Sequence, residues 1–356
     1  MYSTDITFSG TTADVIEDNG LEDLFNVLKT LFEISFRYLW MVPVVCGIPG
    51  NVLTIFVANR KHNKSLSPCI YMTALAVSDT IYLIGLVLFL PVMHSSRLGD
   101  GVPHFREYLF KFHWFICYVG AMLSCLYLAE MSIDRVLAIR FPMVAMRLCS
   151  ANRTRKVVAV TAVVFSLLNL NTFFTHQYVR DQEKGYENIY IIFEDNPIVE
   201  VLTSGFQLIF GAFLPFVIIL CCNVIIIITV KLASKKRLKM DSVQGQGVDQ
   251  RNRKQTEHLT RIGVFVSAAY VLTTMPFRLY NVIVTIPAVG YDLSDDYWFF
   301  RFGAENEFLF VIYSCNHACN FYLYCVAGGR RYRTDTVKIL TTFLHYSWRK
   351  NDVLRE

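Results

Sequence analysis

The chain has 356 residues, 54% of them hydrophobic and only 18% charged, with a net charge of +5 and a mean hydropathy of +0.38. Soluble domains carry about 25% charged residues, so this balance excludes an ordinary water-soluble globule. The apolar residues gather in blocks of about 20 or more, the length with which a helix spans a hydrocarbon core ~30 Å thick, and none alternates along its length as a barrel strand would.

In chain order, residues 1–34 come first, polar and acidic. They show no basic n-region and no apolar h-region, so no cleavable signal peptide is expected and the first span should act as its own anchor. Seven apolar spans follow, at about 36–59, 69–94, 108–140, 155–177, 199–233, 256–288 and 303–326. Basic residues occupy one set of connecting loops: Arg60, Lys61 and Lys64; Arg147, Arg153, Arg155 and Lys156; Lys235 to Lys254; and Arg330, Arg331 and Arg333. The other set is acidic, with Asp181, Glu183, Glu187, Glu194 and Asp195, then Asp292, Asp295 and Asp296. The positive-inside bias makes the first set cytoplasmic, the N-terminus extracellular and the C-terminus internal. An odd number of spans demands the same.

The expected fold is therefore an all-α membrane protein. It has an acidic extracellular tail over 1–34, a seven-transmembrane helix bundle over 35–327, and a cytoplasmic segment over 328–356. In that segment Tyr332, Val337, Ile339, Leu340, Phe343 and Leu344 recur at near-helical spacing among basic residues, the pattern of a short amphipathic helix on the membrane face. The second outer loop, "EKGYENIYIIF", reads as a short hairpin. Cysteines fall in or at the ends of the spans, or at Cys69 and Cys149 on the basic side. None stands in an outer loop, so no outer disulfide is expected.

Ionisable residues inside spans cost roughly 2.5–3.5 kcal/mol at mid-span, so each asks for a reason. Asp79 ends "LAVSD" in span two; Glu130, Asp134 and Arg135 lie late in span three. Asn51 stands in "GIPGN" of span one, Asn316 and Asn320 in "NHACNFYLY" of span seven, and Ser124 eleven residues before Arg135. Asp134-Arg135-Val136 is followed by Pro142; Pro215 lies in span five, Pro276 in span six, and Tyr324 four residues after Asn320.

In this order and on these spans, the constellation resembles the rhodopsin-like family of G-protein-coupled receptors, over about 36–346. The resemblance implies a cell-surface receptor that binds an extracellular ligand and activates a heterotrimeric G protein, with arrestin and membrane lipids as further partners. It implies neither catalysis nor nucleic-acid binding. Asp134 would hold Arg135 at rest and release it into the cavity that receives the G protein. Met143 would be presented to that partner, and Pro215 and Pro276 would be hinges. A plain ion pair at a helix end, and kinks with no switching role, are the blander readings. The transporter reading lacks internal repeats and paired broken spans.

Several positions depart from the family. Phe110 stands where the span-three cysteine is usual, the span-four tryptophan is missing, and Thr274 replaces the tryptophan two residues before Pro276. Phe321 after Asn320 and Asn223 in span five look like invertebrate peptide receptors of the FMRFamide and myosuppressin kind. Ser314 stands where an opsin needs its retinal lysine, and Cys117 where an amine receptor needs an acid. Peptide and lipid ligands remain. The acidic outer rim favours a basic or amidated peptide through long-range steering, whereas the missing disulfide is shared with some lipid receptors. The binding cup is expected to be lined by His113, Trp114, Cys117, Tyr118, Arg278, Asn281, Glu307 and Phe310. Arg278 would take a carboxylate or a terminal carbonyl, or pair internally with Glu305 or Glu307.

No cofactor is expected apart from an ion. In the family, residues matching Asp79, Ser124, Asn316 and Asn320 hold sodium in the resting state. His317, beside Asn316, replaces the usual serine. Its imidazole either bonds a backbone carbonyl as a spectator, or pairs with Asp79 and displaces the sodium. Both readings stay open on the sequence.

Overall fold

The structure, a computed structural model, describes residue 39 and residues 41–94, 105–175, 202, 205–240, 264–280, 296–327 and 332–342. The expected outer tail, the second-outer-loop hairpin and most of the third inner loop lie outside the described residues. Those residues hold helices and turns but no strand. The helices are α1 (Met41–Ala58), α2 (Ser67–His94), α3 (Phe105–Arg140), the short α4 (Pro142–Leu148), α5 (Ala151–Leu168), α6 (Leu214–Met240), α7 (Val264–Tyr280), α8 (Asp296–Ala327) and α9 (332–342). Each of the seven sequence spans carries one of α1, α2, α3, α5, α6, α7 and α8.

Length and composition alone make five of these helical stretches able to cross a membrane, and α7 is a shorter apolar helix. α3 is the most enclosed and packs against α2, α5 and α6. α8 packs against α1 and α2. The faces left exposed are themselves apolar, with Val45, Phe56, Val160, Phe213 and Leu272 outward. In lipid, apolar surface supplies no drive between helices, so small residues must bring backbones close. Gly120 does this for α2 and α3: a β-carbon there would stand 2.6 Å from the Tyr82 nitrogen and 2.9 Å from the Ser78 carbonyl oxygen. Gly47 admits Leu83 and Ala318, bringing α1 against α2 and α8.

Polar side chains then tie the helices pairwise. Ser67 and Thr154 share a hydrogen bond of 2.7 Å between the starts of α2 and α5. Thr161 donates to the Glu130 carboxylate at 2.6 Å, which gives that in-span acid a partner across α3 and α5. Gln207 donates to Asn169 at 2.7 Å, joining the stretch before α6 to the 3₁₀ turn (Asn169–Asn171) after α5.

Pro215 sits in the first turn of α6 and is preceded by a π-helical turn, Ile209–Phe213. Proline has no N–H to return to a carbonyl one turn earlier, and the wide turn lifts the Phe210 and Gly211 carbonyls off the ladder. The Cys125 thiol of α3 lies 3.8 and 3.5 Å from these two oxygens and 3.0 Å from the Met122 carbonyl oxygen of its own helix, and can donate to one of the three at a time. What the structure shows at Pro215 is this π turn, packed beside a thiol of a neighbouring helix.

α4 opens with Pro142 in its first turn, where a missing N–H costs nothing. α9 is fixed to the same end of the bundle. Tyr332 lies against Phe321 and Tyr324 and donates to Thr54 at 3.5 Å, while Asp335 accepts from Arg60 and lies 3.4 Å from the His62 Nε2.

Candidate functional site

Residues 310, 313, 317, 320 and 324 repeat along α8 at steps of three and four, so their side chains form one stripe. The stripe passes three polar places in turn: a cup near Phe310 and Tyr313, a buried cluster at His317 and Asn320, and the Arg135 end at Tyr324.

In the cup, Arg278 of α7 donates from Nη2 to the Tyr313 hydroxyl at 3.2 Å, and its guanidinium stands 5.2 Å from the centre of that ring. Phe277 stacks on Tyr313 at 4.9 Å and meets Phe310 at 5.7 Å. Tyr118 and Trp114 of α3 form a tilted pair at 5.3 Å. Among the described residues no carboxylate lies within ion-pair distance of Arg278, and its Nε makes no hydrogen bond. The side chains of Glu305 and Glu307, and all of Asn281, lie outside the described part of the structure. His113 and Cys117 belong to the neighbouring face of α3. His113 is buried, with Nδ1 2.8 Å from the Gly85 carbonyl oxygen, and Cys117 packs with Tyr82, Leu83 and Leu86 on the α2 side. Tyr313 was missed in the sequence; its place three residues after Phe310 on a helix is the signal that could have found it.

At the centre, Asp79 is fully buried and surrounded by donors. Ser124 donates to Oδ1 at 2.6 Å, His317 Nδ1 lies 2.7 Å from the same oxygen, and Asn320 donates to Oδ2 at 2.7 Å. Asn316 is buried too but turned aside: its amide oxygen lies 3.3 Å from the Thr273 hydroxyl of α7. Asn51 of α1 donates to the His317 main-chain oxygen at 3.0 Å. The structure thus joins Asp79, Ser124 and Asn320, adds His317, and leaves Asn316 outside the first ring of contacts. A sodium ion would need oxygen lone pairs facing inward; here hydrogens face the carboxylate, and the residues as arranged do not fit the ion.

At the Arg135 end, the expected Asp134–Arg135 ion pair is not formed. Arg135 is buried, and its Nε and Nη2 make no hydrogen bond. Neighbouring residues on a helix point about 100° apart, so Arg135 and Asp134, both buried, face different neighbours. The Arg135 charge has Tyr324, Asp134 and Cys69 as its electrostatic neighbours, Tyr324 first. Cys149, just after α4, donates weakly to the Asp134 main-chain oxygen at 3.9 Å, and burial pushes its thiol up to about 12. Met143 is 75% exposed on α4, open to a partner. Pro276 lies within a continuous α7, and Thr274 is buried with its hydroxyl unbonded. All ten cysteines are free thiols.

The family described as 7 transmembrane receptor (rhodopsin family) matches residues 50–325, well over half of the chain. The chain belongs to the rhodopsin family of seven-transmembrane receptors. Among similar proteins, cysteinyl leukotriene receptor 1 of Homo sapiens is 27% identical over 253 residues, covering 70% of this chain and 68% of its own length. Somatostatin receptor type 3 of Mus musculus is 25% identical over 262 residues, covering 70% of this chain and 57% of its own. A probable G-protein coupled receptor of Caenorhabditis elegans is 23% identical over 323 residues, covering 87% and 70%. This rhodopsin-family chain is accordingly a ligand-binding, G-protein-coupled receptor, a multi-pass membrane protein rather than an enzyme.

Proposed function

We propose that this receptor takes an extracellular neuropeptide in the Arg278 cup and passes the event along α8 to a heterotrimeric G protein at the Arg135 end. In this reading the N-terminus is extracellular, α9 lies on the cytoplasmic membrane face, and arrestin is a further partner there. The observation that carries it is Arg278. A guanidinium braced by one tyrosine and walled by aromatic rings is suited to a carbonyl or carboxylate at a peptide end, because its fork donates two parallel bonds. The acidic loops at the same end would steer a basic peptide toward it. The somatostatin receptors among the relatives are in keeping with a peptide.

A second reading, a lipid ligand, is favoured by the cysteinyl leukotriene receptors among the relatives. The two are separated by screening amidated neuropeptides against lysolipids on cells expressing the chain, with G-protein dissociation as the readout. A peptide should respond, and its affinity should fall as ionic strength rises. Arg278→Gln should weaken it about 10- to 100-fold, the worth of a hydrogen bond to a charged group. Response to lysolipids alone, insensitive to salt, would favour the second reading.

A further inference from the structure

The resemblance assigns Asp79, Ser124, Asn316 and Asn320 to sodium, and the geometry departs from that assignment atom by atom. Both carboxylate oxygens of Asp79 already accept hydrogen bonds, two at Oδ1 and one at Oδ2. Ser124 and Asn320 turn O–H and N–H toward the carboxylate. Asn320 cannot reverse its amide without setting its oxygen against a carboxylate oxygen. Asn316, which could offer a carbonyl oxygen, is turned to α7, with that oxygen 3.3 Å from the Thr273 hydroxyl, which also reaches the Ala269 carbonyl oxygen at 2.7 Å. Three donors already occupy most of the carboxylate's roughly four acceptor positions, and no other side-chain oxygen is turned toward it with lone pairs free of that role, so a hard cation would have to displace a donor to bind here.

His317 fills the place beside Asp79, and it is held there from several sides. The Tyr82 ring lies 4.0 Å from the imidazole, tilted by 32°, and Tyr313 meets it edge-on at 5.4 Å. The Tyr82 hydroxyl is itself fixed by Ser314 at 3.1 Å. Asn51 holds the backbone of His317 from α1. The Nε2 atom makes no hydrogen bond, so the tautomer with its proton on Nδ1 leaves no buried N–H unpaired.

We infer that the Asp79 cluster is closed to sodium and that the His317 imidazole takes the ion's place as the carboxylate's partner. The join between α2, α3 and α8 is then made wholly by side chains of this chain and needs no ion. A serine at 317 would reopen the space: the side chain shrinks, Asp79 loses one of two donors at Oδ1, and oxygen lone pairs become available.

The test is thermal unfolding of the purified full-length receptor in nanodiscs, in sodium chloride and in choline chloride at equal ionic strength. Wild type should melt at the same temperature in both salts. His317→Ser should melt lower in choline and recover in sodium, by roughly 3 °C once sodium exceeds its dissociation constant about tenfold. If His317→Ser does not fold, His317→Asn carries the same comparison with a larger side chain. Sodium NMR line broadening reads the ion directly, and should be absent with wild type and present with His317→Ser. Sodium-dependent stabilisation or line broadening of wild type would overturn the inference. Sodium indifference in wild type and in both folded variants would overturn the role given to His317.

Discussion

At the residue scale, adjacent positions on one helix separate binding from packing. Trp114 and Tyr118 of α3 pair with each other, with Tyr118 close enough to feel the Arg278 charge, whereas His113 and Cys117, one position earlier in each case, are buried toward α2. Close approach of α2 requires bare glycine at 120, where even a methyl group would meet backbone at 2.6 Å. Gly120→Ala should therefore cost about 1–3 kcal/mol through overpacking, although alanine is the better helix former by roughly 1 kcal/mol. Gly205→Ala, with nothing within 4 Å of the added carbon, is the control and should be neutral or stabilising. Melting of the two variants beside wild type checks this; equal melting temperatures would contradict the close approach. In the sequence, Asp79, Ser124, Asn316, Asn320 and His317 were legible as unusual polar residues in apolar runs. The resemblance grouped the first four, and a His317–Asp79 pair stood as one of two open readings; the structure brings His317 to Asp79 and leaves Asn316 aside. Which of these held was not legible, since which atoms meet depends on the rotation of each helix, and an apolar run leaves that rotation nearly free. Tyr313 and Gln207 were missed because a tyrosine or glutamine in a span carries no charge to flag it.

At the element scale, the seven spans were legible because hydrocarbon thickness sets a length and composition reveals it. The boundaries differ where charge interrupts the window without interrupting the helix. α8 starts at Asp296 rather than near 303, since Asp296 and Arg301 lower the hydropathy of its first turns without stopping the helix: an acid is favourable in a first turn and Arg is a good helix former. Pro215 announced a break in span five, but not its form. The π turn packs against another helix, where the Cys125 thiol lies 3.5 Å from the Gly211 carbonyl oxygen. Cys125→Ala removes the donor and leaves the lifted carbonyls bare, and should cost about 1 kcal/mol, whereas Cys125→Ser keeps a donor and should lose less. A thermal melt ranks the three proteins. If alanine equals wild type, the thiol does not support the turn.

At the scale of the whole molecule, α8 connects the three polar places. Phe310 and Tyr313 stand in the cup, His317 and Asn320 on Asp79, and Tyr324 beside Arg135. A rigid helix with one functional stripe can carry a displacement from one end of the bundle to the other. α9 and the loop after α1 add a brace at the far end through Asp335, Arg60 and His62. Arg135 is the outlet. Its guanidinium is buried, turned from Asp134, and has two nitrogens without hydrogen bonds, so it holds unspent donors where a partner's backbone carbonyls could accept. Arg135→Ala should remove G-protein activation and leave surface expression and ligand affinity near wild type. The decisive measurement is ligand-stimulated exchange of GDP for a labelled GTP analogue, in membranes with wild type and Arg135→Ala at matched surface density, using the ligand found in the screen. The account predicts stimulation in wild type and none above background in the variant; full stimulation by Arg135→Ala would contradict it.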